Sequence, residues 1–164
     1  ALGVSGDIVA GDAVMYSYLA LAIGDFGSGF ISQMVQSRKK IVLIFILLTL
    51  GSILLYLFMP ITTVTFFYIA CGILGFSIGY WALFVTIAAE QFGTNLRSTV
   101  ATTVPNFIRG TVVPITLAFK FLRGEMGIIN GALIVGVVTI IIALIALTTI
   151  DETFSRDMNY LEEK

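Results

Sequence analysis

Long apolar segments separated by short polar stretches dominate the hydrophobic pattern of the chain. A bilayer core about 30 Å thick needs roughly 20 apolar residues in a helix that rises about 1.5 Å per residue. These segments are apolar on all faces and lack the short alternation of β-barrel strands, so we predict transmembrane helices. Cutting the chain at its charged and turn residues gives five spans, at residues 13–37, 41–59, 64–89, 98–119 and 127–150.

The composition agrees with this pattern. Hydrophobic residues make up 58% of the chain and charged residues 12%, whereas soluble domains carry about a quarter charged residues. Mean hydropathy is +1.03. We therefore predict an all-α, polytopic membrane helix bundle over residues 1–150 and a polar tail over residues 151–164. Recurring glycines indicate helices that approach closely in lipid: Gly24, Gly27, Gly29, Gly72, Gly75, Gly79, Gly127, Gly131 and Gly136.

Lysine and arginine residues predict the orientation of the chain. Two loops and the tail on one side hold six of them, and the opposite side holds two. The positive-inside rule places the richer side in the cytoplasm. We therefore predict a multi-pass integral protein of the cell or inner membrane with a cytoplasmic C-terminus. The six are Arg38, Lys39, Lys40, Arg97, Arg156 and Lys164, and the two are Lys120 and Arg123.

The residues that the sequence lacks exclude several functional classes. A net charge of −1 leaves no basic face for a nucleic-acid partner. The chain has no histidine, and Cys71 is its single cysteine, which removes Ser-His and HExxH chemistry and any cysteine-cluster metal site. We therefore predict no enzymatic activity, no cofactor and no metal site.

Two charged residues lie halfway along predicted spans. Asp25 is central in the first span, and Arg109 is central in the fourth. Each costs about 2.5–3.5 kcal/mol when it faces lipid, so both are expected to face protein or water. Opposite charges at that depth cancel much of their desolvation cost by pairing. We therefore expect Asp25 and Arg109 to form an ion pair, with a neutral Asp25 in apolar surroundings as the alternative.

A solute site around these charges is the functional alternative to a static pair. Arg109 suits an anionic or polar solute as a fixed cation, and Asp25 suits a role as its partner or as a proton-accepting group in coupling. Asn106, Tyr80 and Trp81 complete the candidate solute and coupling site. The two aromatic residues suit a cavity wall and ordinary packing equally well.

The prolines of the fourth predicted span point to an irregular helix. Pro105 and Pro114 bracket Arg109 in VPNFIRGTVVP, and Gly110 adjoins it. Such residues kink or unwind a helix and free backbone carbonyls to line a cavity. A kink that serves no ligand is the structural alternative.

The segment AAEQFGTNLRSTVA resembles the end of the tenth helix and the following loop of major facilitator superfamily transporters, where a pattern like AExFPTxxRxT is typical. Glu90, Phe92, Thr94 and Arg97 match at the same spacing, and Gly93 stands in place of the usual proline.

Two further segments carry the same resemblance. GFISQMVQSRKK is similar to the weaker second copy of the family's GxLxDRxGRR/K signature, with Gln33 and Met34 where the Asp-Arg pair stands. DETFSRDMNYLEE is similar to the PETxGRxLEE ending of sugar-porter-like members, with Asp151 in place of the proline. The chain thus resembles the C-terminal half of a sugar-porter-like or organic-ion-transporter-like member.

The resemblance implies both an architecture and a function. The five spans would be helices eight to twelve of a six-helix half, and the first helix of that half and the N-terminal half would be missing from this chain. Family members move solutes by alternating access between two halves. We therefore expect part of a secondary active transporter for a small polar or charged solute, with proton coupling as one option, whose partners are that solute, the bilayer and the missing half. The resemblance also implies a cytoplasmic gate built from Glu90, Arg97, Arg38 and Lys39.

Two other classes of protein compete with a transporter. A five-helix membrane scaffold or channel subunit would use Asp25 and Arg109 as assembly contacts. An intramembrane aspartyl protease is suggested by IGDF, but that chemistry needs a second aspartate on a neighbouring span, and the predicted spans contain no other acid apart from Asp25.

Overall fold

The computed structural model describes residues 6–155 and residue 159, and this part of the chain forms six α-helices and no β-strand. The tail residues Arg156 and Lys164, which entered the orientation prediction, lie outside the described residues. The helices are α1 (Ala10–Val35), α2 (Arg38–Phe58), α3 (Val64–Ser77), α4 (Trp81–Glu90), α5 (Thr94–Met126) and α6 (Ile128–Thr149).

Four helical segments of the described chain are long and apolar enough to cross a membrane: Ala10–Val35, Arg38–Phe58, Val64–Glu90 and Ile128–Thr149. They correspond to the first, second, third and fifth predicted spans, which confirms an all-α bundle of membrane-spanning helices. The fourth predicted span lies inside α5. Threonine, asparagine and arginine side chains lower the hydropathy of α5, so its crossing of the membrane stays a prediction.

Helix α2 lies at the centre of the bundle and contacts α1, α3, α4 and α6. Its buried apolar side chains are Ile41, Val42, Phe45 and Ile46. These side chains pack against Leu83 and Ile87 of α4 and against Ile140 and Leu147 of α6. Many large apolar side chains elsewhere are exposed, as expected where lipid, rather than water, surrounds the helices.

Glycines bring α1 and α3 into backbone contact. A Cβ atom added to Gly75 would lie 2.1 Å from the carbonyl oxygen of Ser17, and one added to Gly79 would lie 2.6 Å from the Cα of Gly24. Gly27 has no such neighbour within 4 Å. Close packing through small residues is therefore confirmed at Gly24, Gly75 and Gly79, but it does not extend to every glycine of the first span.

The third predicted span is broken in the middle. Helix α3 ends at Ser77 and α4 begins at Trp81. The hydroxyl of Thr49 donates to the carbonyl of Ser77 over 2.9 Å, and Asp25 accepts a hydrogen bond from the N–H of Ala82. The polar backbone groups at the break thus find partners on α2 and α1, as a broken helix requires in lipid.

Helix α5 is continuous from Thr94 to Met126 with Pro105 and Pro114 inside it. The helix is therefore not unwound around Gly110, which was one of the two expectations, whereas a kink at Pro105, Gly110 and Pro114 stays a prediction. The interruption lies in the third span instead, at the glycine contact between Gly79 and Gly24. Each proline removes one backbone N–H donor. The remaining backbone hydrogen bonds keep α5 helical from Thr94 to Met126, although the helix has no buried residue.

Candidate functional site

A cavity of about 720 Å³ lies beside the break between α3 and α4 and is bounded by α1, α2, α4, α5 and α6. Its lining includes Asp25, Tyr80, Trp81 and Arg109. The structure thus brings together four of the five residues of the predicted solute and coupling site. The fifth, Asn106, lines a separate groove on the surface of α5.

Asp25 reaches this cavity because α1 and the break are in direct contact. A Cβ atom on Gly79 would lie 2.7 Å from the backbone nitrogen of Asp25, so only glycine allows this approach. The carboxylate then accepts a hydrogen bond of 3.1 Å from the N–H of Ala82 in the first turn of α4. Tyr80, which precedes α4, supplies no side-chain cap. Asp25 therefore caps α4 from a different helix.

Arg109 approaches the cavity from α5, and its side chain is exposed. Its guanidinium carbon lies 5.9 Å from the centre of the Trp81 ring, within the range of a cation–π interaction. Its Nη1 donates a long hydrogen bond of 3.5 Å to Oδ1 of Asn106, one turn earlier on the same helix. Neither contact supplies a negative charge.

The expected ion pair between Asp25 and Arg109 is wrong. Arg38 and Glu90 do lie within ion-pairing distance of each other, but Asp25 and Arg109 do not. Asp25 instead accepts a hydrogen bond from the N–H of Ala82, because the break in the third span leaves backbone donors available. The central position of Asp25 in its predicted span does not reveal these donors. The two charges share a cavity without neutralising each other by direct contact.

A second polar group lies where α1 ends, α2 begins and α4 ends. Arg38 and Glu90 form a two-pronged ion pair there, with 2.7 Å from Nε to Oε2 and 2.7 Å from Nη2 to Oε1. Only 13% of the Arg38 side chain and 8% of the Glu90 side chain are exposed, so the pair is largely shielded from water. Two of the predicted gate residues are therefore in contact.

The other two predicted gate residues have different contacts. Lys39 donates from Nζ to the backbone carbonyl of Ile150, after the end of α6. Arg97 donates to the carbonyl of Phe92 over 3.3 Å. Within the predicted gate, the ion pair that the structure describes at Glu90 is with Arg38. The resemblance indicated Glu90 and Arg97 by their spacing in one loop, whereas the fold brings Arg38 from another loop.

Glu152 was missed as a site residue, although it is the hub of this region. Its carboxylate accepts hydrogen bonds from the hydroxyl of Ser37 at 2.5 Å and from the backbone N–H groups of Arg38 at 3.0 Å and Lys39 at 3.3 Å. Further bonds come from the N–H groups of Thr153 and Phe154. We name the set Ser37, Arg38, Glu90 and Glu152 the end cluster.

A signal for Glu152 exists in the sequence. Helix α2 begins with Arg38, Lys39 and Lys40 and has no acidic residue in its first turn. This is unfavourable at the positive end of a helix dipole, so an anion from elsewhere in the chain stabilises it. Glu152 is that anion. A second contact joins the same two segments, because Lys39 donates to the backbone carbonyl of Ile150 after the end of α6.

Electrostatics at Glu152 favour the charged form. Burial of the carboxyl raises its pKa, but the hydrogen bonds from Ser37, Phe154, Arg38 and Lys39 together outweigh burial and hold the pKa below its ordinary value of 4.5. The guanidinium carbon of Arg38 also lies 5.8 Å from the centre of the Phe154 ring. The start of the tail is thus fastened to the start of α2.

No group of three or more acidic, cysteine or histidine side chains that could hold a metal ion occurs in the part of the chain that the structure describes. Comparison with known proteins finds no matching protein family, no matching curated protein and no matching solved structure. A function for this chain therefore rests on the geometry of the cavity and the end cluster.

Proposed function

We propose that this bundle is part of a secondary active transporter of the major facilitator type, which moves a small polar or charged solute across a membrane by alternating access. A second helical bundle acts opposite it, and the solute binds between the two. The observation that carries the proposal is the cavity of about 720 Å³ whose lining holds both Asp25 and Arg109.

Three features of the cavity support a solute site over inert packing. Its volume lies within the range of about 300–1,000 Å³ that small-molecule sites occupy. Charged residues inside spanning helices mark solute and proton pathways in membrane proteins. The cavity also borders a discontinuous helix, and transporters build solute sites at such breaks. An assembly scaffold needs none of these three features.

In this proposal the end cluster is a latch at the cytoplasmic face. Arg38 and Glu90 join α2 to α4, and Glu152 joins α2 to the segment that follows α6. Contacts made in one state and lost in the other bias the equilibrium between the two states. The latch holds the cytoplasmic ends of three helices together in one of them, with the C-terminal tail in the cytoplasm as the positive-inside rule predicts.

Transport is tested with the full-length protein that carries this chain, reconstituted in liposomes. A thermal-shift screen of solutes first finds a ligand, because binding to the folded state alone raises the melting temperature. Uptake of that ligand is then compared between wild type, Asp25→Asn and Arg109→Ala. We expect Arg109→Ala to weaken apparent affinity and Asp25→Asn to change the dependence on a proton gradient.

Arg123→Ala is the matched control, because Arg123 lies on the same helix outside the cavity lining. Normal rate and affinity in both cavity variants would remove the proposed site. Folded protein that transports none of the ligands that bind it would instead favour a scaffold or channel subunit.

A further inference from the structure

The two charges of the cavity are not equally available to a ligand. The carboxylate of Asp25 accepts a hydrogen bond from Ala82 in the first turn of α4. A helix N-terminus carries about half a positive elementary charge, so α4 offsets much of the negative charge of Asp25. The charges of Asp25 and Arg109 therefore do not cancel within the cavity, although one residue is an acid and the other a base.

Arg109 has no such compensation. Among the described residues its contacts are the amide oxygen of Asn106 at 3.5 Å and the face of the Trp81 ring at 5.9 Å. Both partners are uncharged. A guanidinium in an apolar setting forms its strongest bonds with a carboxylate or another planar oxyanion, which it binds through two parallel hydrogen bonds. The excess charge of the cavity is positive and located at Arg109.

The remaining lining of the cavity is apolar. Apart from Asp25 and Arg109, polar groups are contributed only by the aromatic residues Tyr18, Tyr80 and Trp81 among the described residues that line it. On this side of the site, a polyhydroxylated solute such as a sugar would find few partners for its hydroxyl groups, which costs binding free energy. An apolar or aromatic group has no hydroxyl groups that need partners, and it gains contact with Trp81 and Phe84, whose rings lie 5.9 Å apart.

We propose that the solute of this cavity is an amphipathic organic anion, which places its carboxylate or similar oxyanion on Arg109 and its apolar body against Trp81 and Phe84. This inference rests on the proposed function, since it names the chemical class of the transported solute. Asp25 does not contact the anion in this arrangement. It holds the start of α4, and hence Trp81, in place.

The test measures binding through fluorescence, independently of transport. Trp81 is the only tryptophan of the chain and it lines the cavity, so its emission reports occupancy. The full-length protein, with any tryptophan outside these 164 residues replaced by phenylalanine, is titrated in lipid nanodiscs with three heavy-atom quenchers of similar size: para-iodobenzoate, para-iodobenzamide and para-iodobenzylammonium. We expect saturable quenching in which the anion binds at least about tenfold more tightly than the amide, or about 1.4 kcal/mol, and the cation binds weakest.

Four variants assign that preference. Arg109→Gln is expected to bind the anion and the amide equally, whereas Arg109→Lys keeps part of the difference because it keeps the charge but loses the planar pair of donors. Arg123→Gln makes the same change on the same helix outside the cavity and is expected to bind like wild type. Asp25→Asn retains an oxygen for Ala82 and removes a negative charge, so anion binding is expected to stay equal or become tighter.

The opposite order of affinities overturns the inference. Tighter binding of the cation, with loss in Asp25→Asn, would make Asp25 the ligand group. Equal quenching by all three probes, or none that saturates in protein whose melting temperature matches wild type, would show that the cavity does not select an anion. An unchanged preference in Arg109→Gln would move the anion site elsewhere.

The proposed function and this inference fail in different measurements. Selective anion binding without uptake of any solute in liposomes would leave the inference and remove the transporter. Gradient-driven uptake of a cation or of a sugar through the same cavity would leave the transporter and remove the inference.

Discussion

Arg38 and Glu90 face each other through two contacts of 2.7 Å, although they are 52 positions apart in the chain. The pair joins the start of α2 to the end of α4 at a site where both side chains are largely shielded from water. A shielded pair is sensitive to the loss of one partner, because the remaining charge is left uncompensated.

Charge reversal at this pair tests the contact directly. We expect Arg38→Glu and Glu90→Arg to lower the free energy of unfolding by about 3–5 kcal/mol each, and the double variant to recover part of that loss. Thermal unfolding in nanodiscs measures all three. The control combines Glu90→Arg with Arg97→Glu. If stability recovers in the control and not in the Arg38 double variant, the partner of Glu90 is Arg97 and not Arg38.

The pKa of Glu152 predicts an acid-sensitive attachment of the tail. Its folded-state pKa lies below the ordinary value of 4.5. Glu152 therefore stabilises the fold above the unfolded pKa, and this stabilisation is lost as pH falls through the folded pKa. We expect the melting temperature of wild type to drop below about pH 4.5, and Glu152→Gln to show a smaller drop from a lower starting value.

The neighbouring acid provides the control for this pH dependence. The described hydrogen bond at Asp151 uses its backbone carbonyl, which accepts from Gln91, so Asp151→Asn is expected to keep the wild-type acid profile. An acid profile of Glu152→Gln that overlays wild type would contradict the attachment.

Two glycines of α3 should respond in opposite directions to the same substitution. A Cβ atom on Gly75 would lie 2.1 Å from the carbonyl oxygen of Ser17, whereas one on Gly72 would meet its nearest neighbour at 4.0 Å. We expect Gly75→Ala to destabilise the bundle by about 1–3 kcal/mol through overpacking. Gly72→Ala should be neutral or stabilising by up to about 1 kcal/mol through helix propensity. Unfolding measured for both variants checks this, and equal effects would refute the close contact of α1 with α3.

The cap that Asp25 provides to α4 has a local signature. We expect Asp25→Ala to destabilise α4 by about 0.5–2 kcal/mol and to speed hydrogen exchange at the N–H of Ala82, which Asp25 binds over 3.1 Å. Asp25→Asn keeps an acceptor oxygen and should protect that amide nearly as well. Exchange is followed by mass spectrometry on peptides from α4.

Asp12→Ala is the matched control for this exchange experiment. Asp12 lies in the first turn of α1, so its loss should affect the start of α1 and leave α4 unchanged. Equal exchange at Ala82 in wild type and Asp25→Ala would mean that the cap does not hold α4.

Much of the site could be predicted from the sequence, but its contacts could not. Asp25, Arg109, Tyr80 and Trp81 were chosen for charge, depth and aromatic character, and they do line one cavity. The predicted ion pair between Asp25 and Arg109 was wrong, because the partner of Asp25 is the backbone N–H of Ala82. A backbone donor is free only where a helix is interrupted, and the prolines pointed to the wrong helix for that interruption.

The sequence by itself determined that the protein is an all-α helix bundle, and it determined the position of four of the five predicted spans, because the free energy of placing about 20 apolar residues in lipid is local and depends on composition. Only the tertiary structure decided which charges meet. The break at residues 78–80 depends on the contact of Gly79 with Gly24, and the end cluster depends on α2, α4 and the segment after α6 converging at one point. Side-chain partners between distant segments follow from packing, which no single segment encodes.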